Sequence, residues 1–293
     1  MLQLEGDENY DFRILRATKN RFGSTNEMGV FEMTEAGMRS VENPSELFLS
    51  ERQTQSPGSV VVATVEGSRP LLVEVQALCA PSYLANPRRT VTGADFNRVN
   101  VVLAVIEKRL GLRLGDMDVF VNVVGGIRVL EPALDLGIAL AVISSLKDVA
   151  VPPEACVFGE IGLAGEVRSV SHAERRANEA ARLGFERCVM PRLSASKLNA
   201  HVGLKNVGAA SLQDAVESLL PEALNRAGAG RKNVEQKNDV SPRDSRGNAS
   251  RGGASLHGRR FANREVESQA ASSTRSDEFA DDNADWLGGE SDV

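Results

Sequence analysis

Cysteine, histidine and the larger aromatics are scarce in this 293-residue chain, which has three Cys, three His, one Trp and two Tyr. Cys79, Cys156 and Cys188 stand too far apart for a C-x-x-C zinc site, and an odd number does not close into a disulfide set. That usage points to a reducing cytoplasm. The imidazoles are His172, His201 and His257, and the chain has no H-E-x-x-H, G-x-S-x-G or paired zinc-ligand spacing. It also lacks the phosphate cradle G-x-x-x-x-G-K-[ST], so neither a self-contained hydrolase nor a self-contained ATPase is expected. No stretch approaches the roughly 20 apolar residues that span a bilayer. The opening MLQLEGDENYDF carries acids where a signal peptide needs basic and apolar residues, which argues for a soluble protein. A net charge of −6 excludes a uniformly basic nucleic-acid coat, so any basic surface must be local.

Charge is distributed in blocks. Residues 226–264 hold ten Lys/Arg against three acids, and 265–293 hold nine acids against Arg275. Both blocks are rich in Gly, Ser, Asn and Ala and poor in aliphatics, a composition that cannot offset the entropy of ordering. Residues 222–293 are therefore expected to be a disordered charged tail.

Residues 51–221 read as one α/β (α+β) unit with a mixed sheet and packed helices. SVVVATVEG (59–67) and PLLVEVQALC (70–79) form a hairpin signal. Val99, Val102, Leu103, Ile106 and Leu110 repeat at helical spacing up to Gly111. DVFVNVVGG (118–126) predicts a buried strand, and LDLGIALAVISSL (134–146), apolar nearly all round, a buried helix. Strands over 156–163, 166–170 and 186–190, and helices over 171–183 and 211–220, complete the unit. Residues 1–50 read as strand pairs around a basic turn, too short to hold a core alone.

Lys19-Asn20-Arg21-Phe22-Gly23 is the most specific local feature. Two cations two residues apart on an extended segment project to one side, which suits phosphate oxygens; a solvated basic turn is the plain alternative. The stretch FRILRATKNRFGSTNEMGVFEM resembles the KNRFG segment of the RadA (Sms) family, bacterial DNA-repair ATPases of the RecA superfamily. NPRRTVTGADFNRVNVVLAVIEKRLG and GGIRVLEPALDLGIALAVISS extend the resemblance to about Leu220, over the Lon-protease-like domain of that family.

The resemblance implies a layout. Residues 1–50 would be the end of a RecA-like ATPase core, 51–221 a Lon-like domain and 222–293 the tail. Lys19 and Arg21 would contact a neighbouring subunit's nucleotide or the DNA backbone, with Phe22 and Gly23 holding the loop's shape. The intact protein would be a cytoplasmic, hexameric ring driving branch migration with ATP and Mg2+, acting on single-stranded DNA and recombination intermediates beside a RecA-type recombinase. The family's zinc finger and P-loop do not occur in this chain, which reads as a C-terminal half.

Lon peptidases use a Ser-Lys dyad. Matching the motifs puts Asp135 in the Ser position and Glu174 in the Lys position, so peptidase chemistry is not expected, and no further ligand pattern suggests a metal there. Asp135 is expected to cap the buried helix, and Ser171 with Glu174 to form an S-x-x-E capping box. Arg98 and Arg109, eleven residues apart, fall within about 20° of one helix face. With Arg88 and Arg89 they make a candidate phosphate-contacting ridge, or else an ordinary solvated face. No stacking aromatic is expected beside them, which points away from base recognition. The alternatives to a DNA-repair role are a Lon-type peptidase and a pure oligomerisation module.

Overall fold

The computed structural model describes residues 1–6, 12–22, 28–198 and 203–225. The basic turn is flanked by an antiparallel meander, β1 (Leu2–Glu5), β2 (Phe12–Ala17), β3 (Met28–Thr34) and β4 (Gly37–Ser40), in that order. Its inward residues Ile14 and Val30 are buried in the main core, so the meander packs where its own apolar content is insufficient. A short helix, α1 (Pro44–Leu49), leads out of it.

The central sheet has seven strands. They are β5 (Ser59–Glu66), β6 (Arg69–Pro81), β7 (Arg89–Thr92), β8 (Met117–Val123), β9 (Ala155–Val157), β12 (Arg187–Pro191) and β13 (Lys205–Ala209). Between β9 and β12 lies a two-stranded hairpin, β10 (Glu160–Ile161) with β11 (Val167–Arg168), whose Ile161 and Val167 are buried in the main core. The sheet order is β13-β12-β9-β5-β6-β8-β7, parallel except for β6, which is antiparallel to both its neighbours. This is the expected mixed α/β architecture.

The helices are α2 (Phe96–Leu110), α3 (Asp135–Lys147), α4 (Ala173–Arg182), α5 (Arg192–Ala195), α6 (Leu212–Leu219) and α7 (Pro221–Asn225). Alternation along the strands makes two apolar faces. Val60, Val62, Val73, Val75, Val121 and Val123 join the core cluster that holds α2, α3 and α6. Val61, Ala63, Leu72, Cys156 and Cys188 face the other way, toward Ala177 and Ala180 of α4. The second layer covers β12, β9, β5 and the first half of β6 and leaves the far end of β6 with β8 and β7 open on that face, where Gln76, Leu78, Thr90 and Thr92 are exposed. Among the described residues, no helix is long and apolar enough to cross a membrane.

Local chemistry explains the helix ends. Asp95 caps α2 by accepting the Arg98 amide at 2.7 Å, and Gly111, at φ +67°, ends it. Gly137 lets α3 lie directly on β5, because a Cβ there would overlap Val62.

Several expectations are corrected. The segment read as one strand over 156–163 breaks at Gly159 into β9 and β10. Residues 222–225, placed in the tail, are helical, with Ala223 buried beside Leu220 and Leu219. The rest of the expected tail, 226–293, lies outside the described residues, as does His201.

Candidate functional site

The KNRF residues follow β2 in a bend rather than on an extended strand. Asn20 shapes it, its side-chain oxygen accepting the Phe22 amide at 3.1 Å in an Asx turn. The Thr18 and Lys19 amides donate to the Met1 carbonyl at 3.0 and 3.3 Å. Lys19, Arg21 and Phe22 are thereby displayed to solvent. Phe22 is 92% exposed and belongs to neither apolar cluster. The Arg21 guanidinium instead lies 5.6 Å from its ring centroid, a cation–π contact. Gly23 lies outside the described residues.

Asp135 opens α3 but does not cap it. Its carboxylate, 1% exposed, accepts Arg98 Nε at 2.9 and 3.0 Å, Arg98 Nη2, and the Ile161 amide at 3.0 Å. Arg98 Nη2 also reaches Glu160 Oε1 at 3.2 Å. Burial raises the Asp135 carboxyl above the ordinary range, opposed by the hydrogen bonds from Arg98 and Ile161. Hydrogen bonding to Asp135 raises the Arg98 guanidinium against its own desolvation. The cavity beside the pair is about 10 Å³, no larger than one water. Glu174 stands exposed in the first turn of α4, and its predicted partner Ser171 makes no cap. His172 occupies the N-cap in the left-handed conformation, φ +57°, and the Ser171 carbonyl accepts Arg176 Nε at 3.0 Å.

The four candidate arginines do not form one ridge. Arg98 and Arg109 do share a face of α2, but that face meets the β10–β11 hairpin: Arg109 Nε and Nη2 donate to the Leu163 carbonyl at 3.1 and 3.0 Å. Arg89 donates to the carbonyls of Met117 and Leu114, holding β7 against the loop before β8. The Arg88 side chain is exposed, while its amide donates to Asp118 Oδ1 at 2.7 Å.

Two arrangements have little trace in the sequence. Arg176, fully buried, donates to Glu131 through Nη1 and Nη2 at 2.7 and 2.6 Å and to the Ala63 carbonyl at 2.8 Å, with its guanidinium over Phe158. The available signal is an arginine set in the alanine stripe Ala173, Ala177, Ala180 of α4. Tyr83 is 98% exposed on the loop between β6 and β7. Its loop is fastened at both ends: the Ser82 amide donates to the Asp116 carbonyl at 2.9 Å, and the Arg88 amide and Ser82 hydroxyl both donate to Asp118. Those bonds, the Arg88 amide foremost, hold the Asp118 carboxyl below its usual range. The open end of the sheet forms a groove of about 530 Å³, with Phe120 and Asn122 on its floor and Glu51 and Glu74 among its lining.

Comparison with known proteins gives this geometry a context. The DNA repair protein RadA of Halalkalibacterium halodurans is 50% identical over 220 residues, which is 75% of this chain and 48% of that protein. Over three quarters of its length the chain resembles RadA proteins. The DNA repair protein RadA of Bacillus subtilis is 49% identical over 220 residues, with the same shares, and that of Brucella abortus 53% over 191 residues, or 65% of this chain and 41% of its own. The chain spans about half the length of the curated relatives it matches. Residues 87–194, from the loop before β7 to α5, match the family model described as subunit ChlI of Mg-chelatase. That match takes in Asp135, Arg98 and the hairpin they hold.

Proposed function

We propose that this chain serves DNA repair as part of a RadA-type protein, with its exposed Asx turn as a DNA-phosphate or nucleotide contact and its seven-stranded unit as a non-proteolytic, Lon-like scaffold. In this reading residues 1–50 end a RecA-like core, and the assembled protein is a cytoplasmic homo-oligomeric ring acting in recombination and branch migration beside a RecA-type recombinase. The observation that carries it is the display of Lys19 and Arg21 by a turn that Asn20 closes, within a chain three quarters of which aligns with RadA proteins.

ATP and Mg2+ enter through the resemblance. The residues present do not fit a complete nucleotide site: the sequence has no phosphate cradle, and among the described residues no group of three or more His, Cys, Asp or Glu is placed to hold a metal. Ser-Lys peptidase chemistry is disfavoured by the Asp135–Arg98 pair, which fills the would-be nucleophile position with a buried carboxylate.

The test is DNA binding by the full chain, followed by fluorescence anisotropy across salt. Lys19→Ala and Arg21→Ala should each weaken binding to any sequence and lower the salt slope by about one. Unchanged slopes in both variants would remove the turn from DNA contact and leave the unit as an assembly scaffold.

A further inference from the structure

Cys156 of β9 and Cys188 of β12 are register partners on neighbouring parallel strands. Both are wholly buried, and both face the apolar cluster to which α4 contributes Ala177 and Ala180. The two thiols are hydrogen-bonded to each other, with the buried Arg176 guanidinium close enough to act on Cys188. Neighbouring strands lie about 4.8 Å apart, and a disulfide joins residues whose Cα atoms stand about 4.4 to 6.8 Å apart, so the pairing already brings the two backbones within bridging range. The next pair in register, Val157 with Val189, is buried on the opposite face in the main core, so this part of the ladder is packed from both sides. Cys79 belongs to the other layer: it packs against the main core, and its Sγ donates to the Val142 carbonyl of α3 at 3.7 Å. Either buried cysteine by itself would be inert packing. Packing alone does not require each to be the other's cross-strand neighbour.

We propose that Cys156 and Cys188 form a redox-active dithiol, a modification site that takes a low-molecular-weight disulfide as oxidant and closes into a cross-strand disulfide. The inference is independent of the DNA reading above. Closure is two exchanges. One cysteine, as thiolate, attacks a sulfur of the small disulfide, breaking its S–S bond, forming a mixed disulfide and releasing one small thiolate. The other cysteine gives up its proton, attacks the protein sulfur of the mixed disulfide and expels the second small thiolate. Two electrons thus pass from the cysteines to the oxidant, and the two protons end on two small thiols. The fold favours the product because holding the sulfurs together makes the second exchange intramolecular. The disulfide is also uncharged and leaves no polar hydrogen to satisfy in an apolar cluster. The resting chain keeps the dithiol: the hydrogen bond to Cys156 and burial both hold the Cys188 thiol well above its ordinary range, and an oxidant must first pass α4.

The experiment bypasses that barrier by refolding the full chain from urea into mixtures of oxidised and reduced glutathione of graded ratio, from oxidised and reduced starting material alike. Samples are quenched in acid, alkylated in urea and read by intact mass and peptide mapping. A single internal disulfide between Cys156 and Cys188 is expected, with Cys79 alkylated. Its equilibrium constant against glutathione should be about tenfold or more higher in native buffer than for the same chain held in urea. By linkage, the oxidised chain should also unfold at a higher temperature than the reduced one. Cys79→Ser should leave the equilibrium unchanged, and Cys188→Ala should abolish the internal disulfide. A constant in native buffer no higher than in urea would overturn the proposal, because the fold would then favour the thiols. An internal disulfide that includes Cys79, or one that survives Cys188→Ala, would overturn the pairing.

Discussion

Arg176 and Glu131 meet inside the protein in a two-pronged ion pair, with N–O distances of 2.7 and 2.6 Å. Glu131 Oε1 also accepts the Val65 amide at 2.7 Å, so the pair ties α4, β5 and the turn before α3 together. Arg176 has no exposed surface, so removing its partner strands a charge. Glu131→Gln should destabilise the protein by about 3 kcal/mol or more. Arg176→Lys should not restore stability, because an ammonium cannot make the fork. Urea unfolding followed by circular dichroism measures both.

Arg98 and Asp135 predict a pH signature. In Arg98→Ala the Asp135 carboxyl stays buried and loses its main hydrogen-bond donor, so its folded pKa, already raised, rises further. A raised carboxyl means that the folded state holds the proton more tightly than the unfolded state. Its stabilising effect is complete below the unfolded pKa near 3.9 and is lost as pH climbs through the folded value. The stability deficit of Arg98→Ala against the parent should therefore widen as pH rises above about 4. A deficit independent of pH would contradict the buried pairing.

Glu179 predicts the opposite sign. Burial works to raise its carboxyl, but hydrogen bonds from Arg182 and from the buried Ser45 hydroxyl, at 2.6 Å, outweigh it and hold the carboxyl below its usual range. Such a group stabilises the fold above its unfolded pKa, near 4.3, and that contribution disappears as pH falls through the folded value. The parent should thus exceed Glu179→Gln in thermal stability at pH 7, with the two converging below pH 4.

The Cys79 thiol is pushed up to about 11, chiefly by burial. Cys156 and Cys188 are wholly buried. Iodoacetamide at pH 8 should therefore leave all three largely unlabelled in the native chain and label them fully in urea, as read by intact mass. Rapid native labelling of Cys79 would show that the β6 end opens.

What the sequence discloses follows from how locally each feature is determined. Helix α2 is legible from Val99, Val102, Leu103 and Ile106, and its ends from Asp95 and Gly111, because cap and periodicity lie within the segment itself. β13 leaves no such trace: KNVGA is short and carries Gly and Lys, and its identity comes from parallel pairing with β12. The angular argument for Arg98 and Arg109 is geometrically sound, since both share one face. What that face meets depends on the Glu160–Arg168 hairpin, over fifty residues away. The capping box at Ser171 fails because His172 turns left-handed, which lets Arg176 reach the Ser171 carbonyl.

The N-terminal meander and the seven-stranded unit are joined through a ring stacked edge-on and a missing methyl. Phe48 of α1 meets Phe12 of β2 with ring planes at 89°, and it fills the space over Gly125, at φ +94°, where a Cβ would come within 2.7 Å of the Phe48 ring. Gly125→Ala should loosen this joint, read as faster amide exchange in β2 and β3 than in β8.

Three residues before Phe48, the same helix lodges the Ser45 hydroxyl between the Leu72 amide and Glu179. Helix α1 is thus six residues long, yet it is a crank with one end on the meander that displays Lys19 and Arg21 and the other on α4. The Ser45 hydroxyl is therefore a single atom shared by the central strand β6 and by α4, so one substitution there would unfasten both from the helix that carries Phe48.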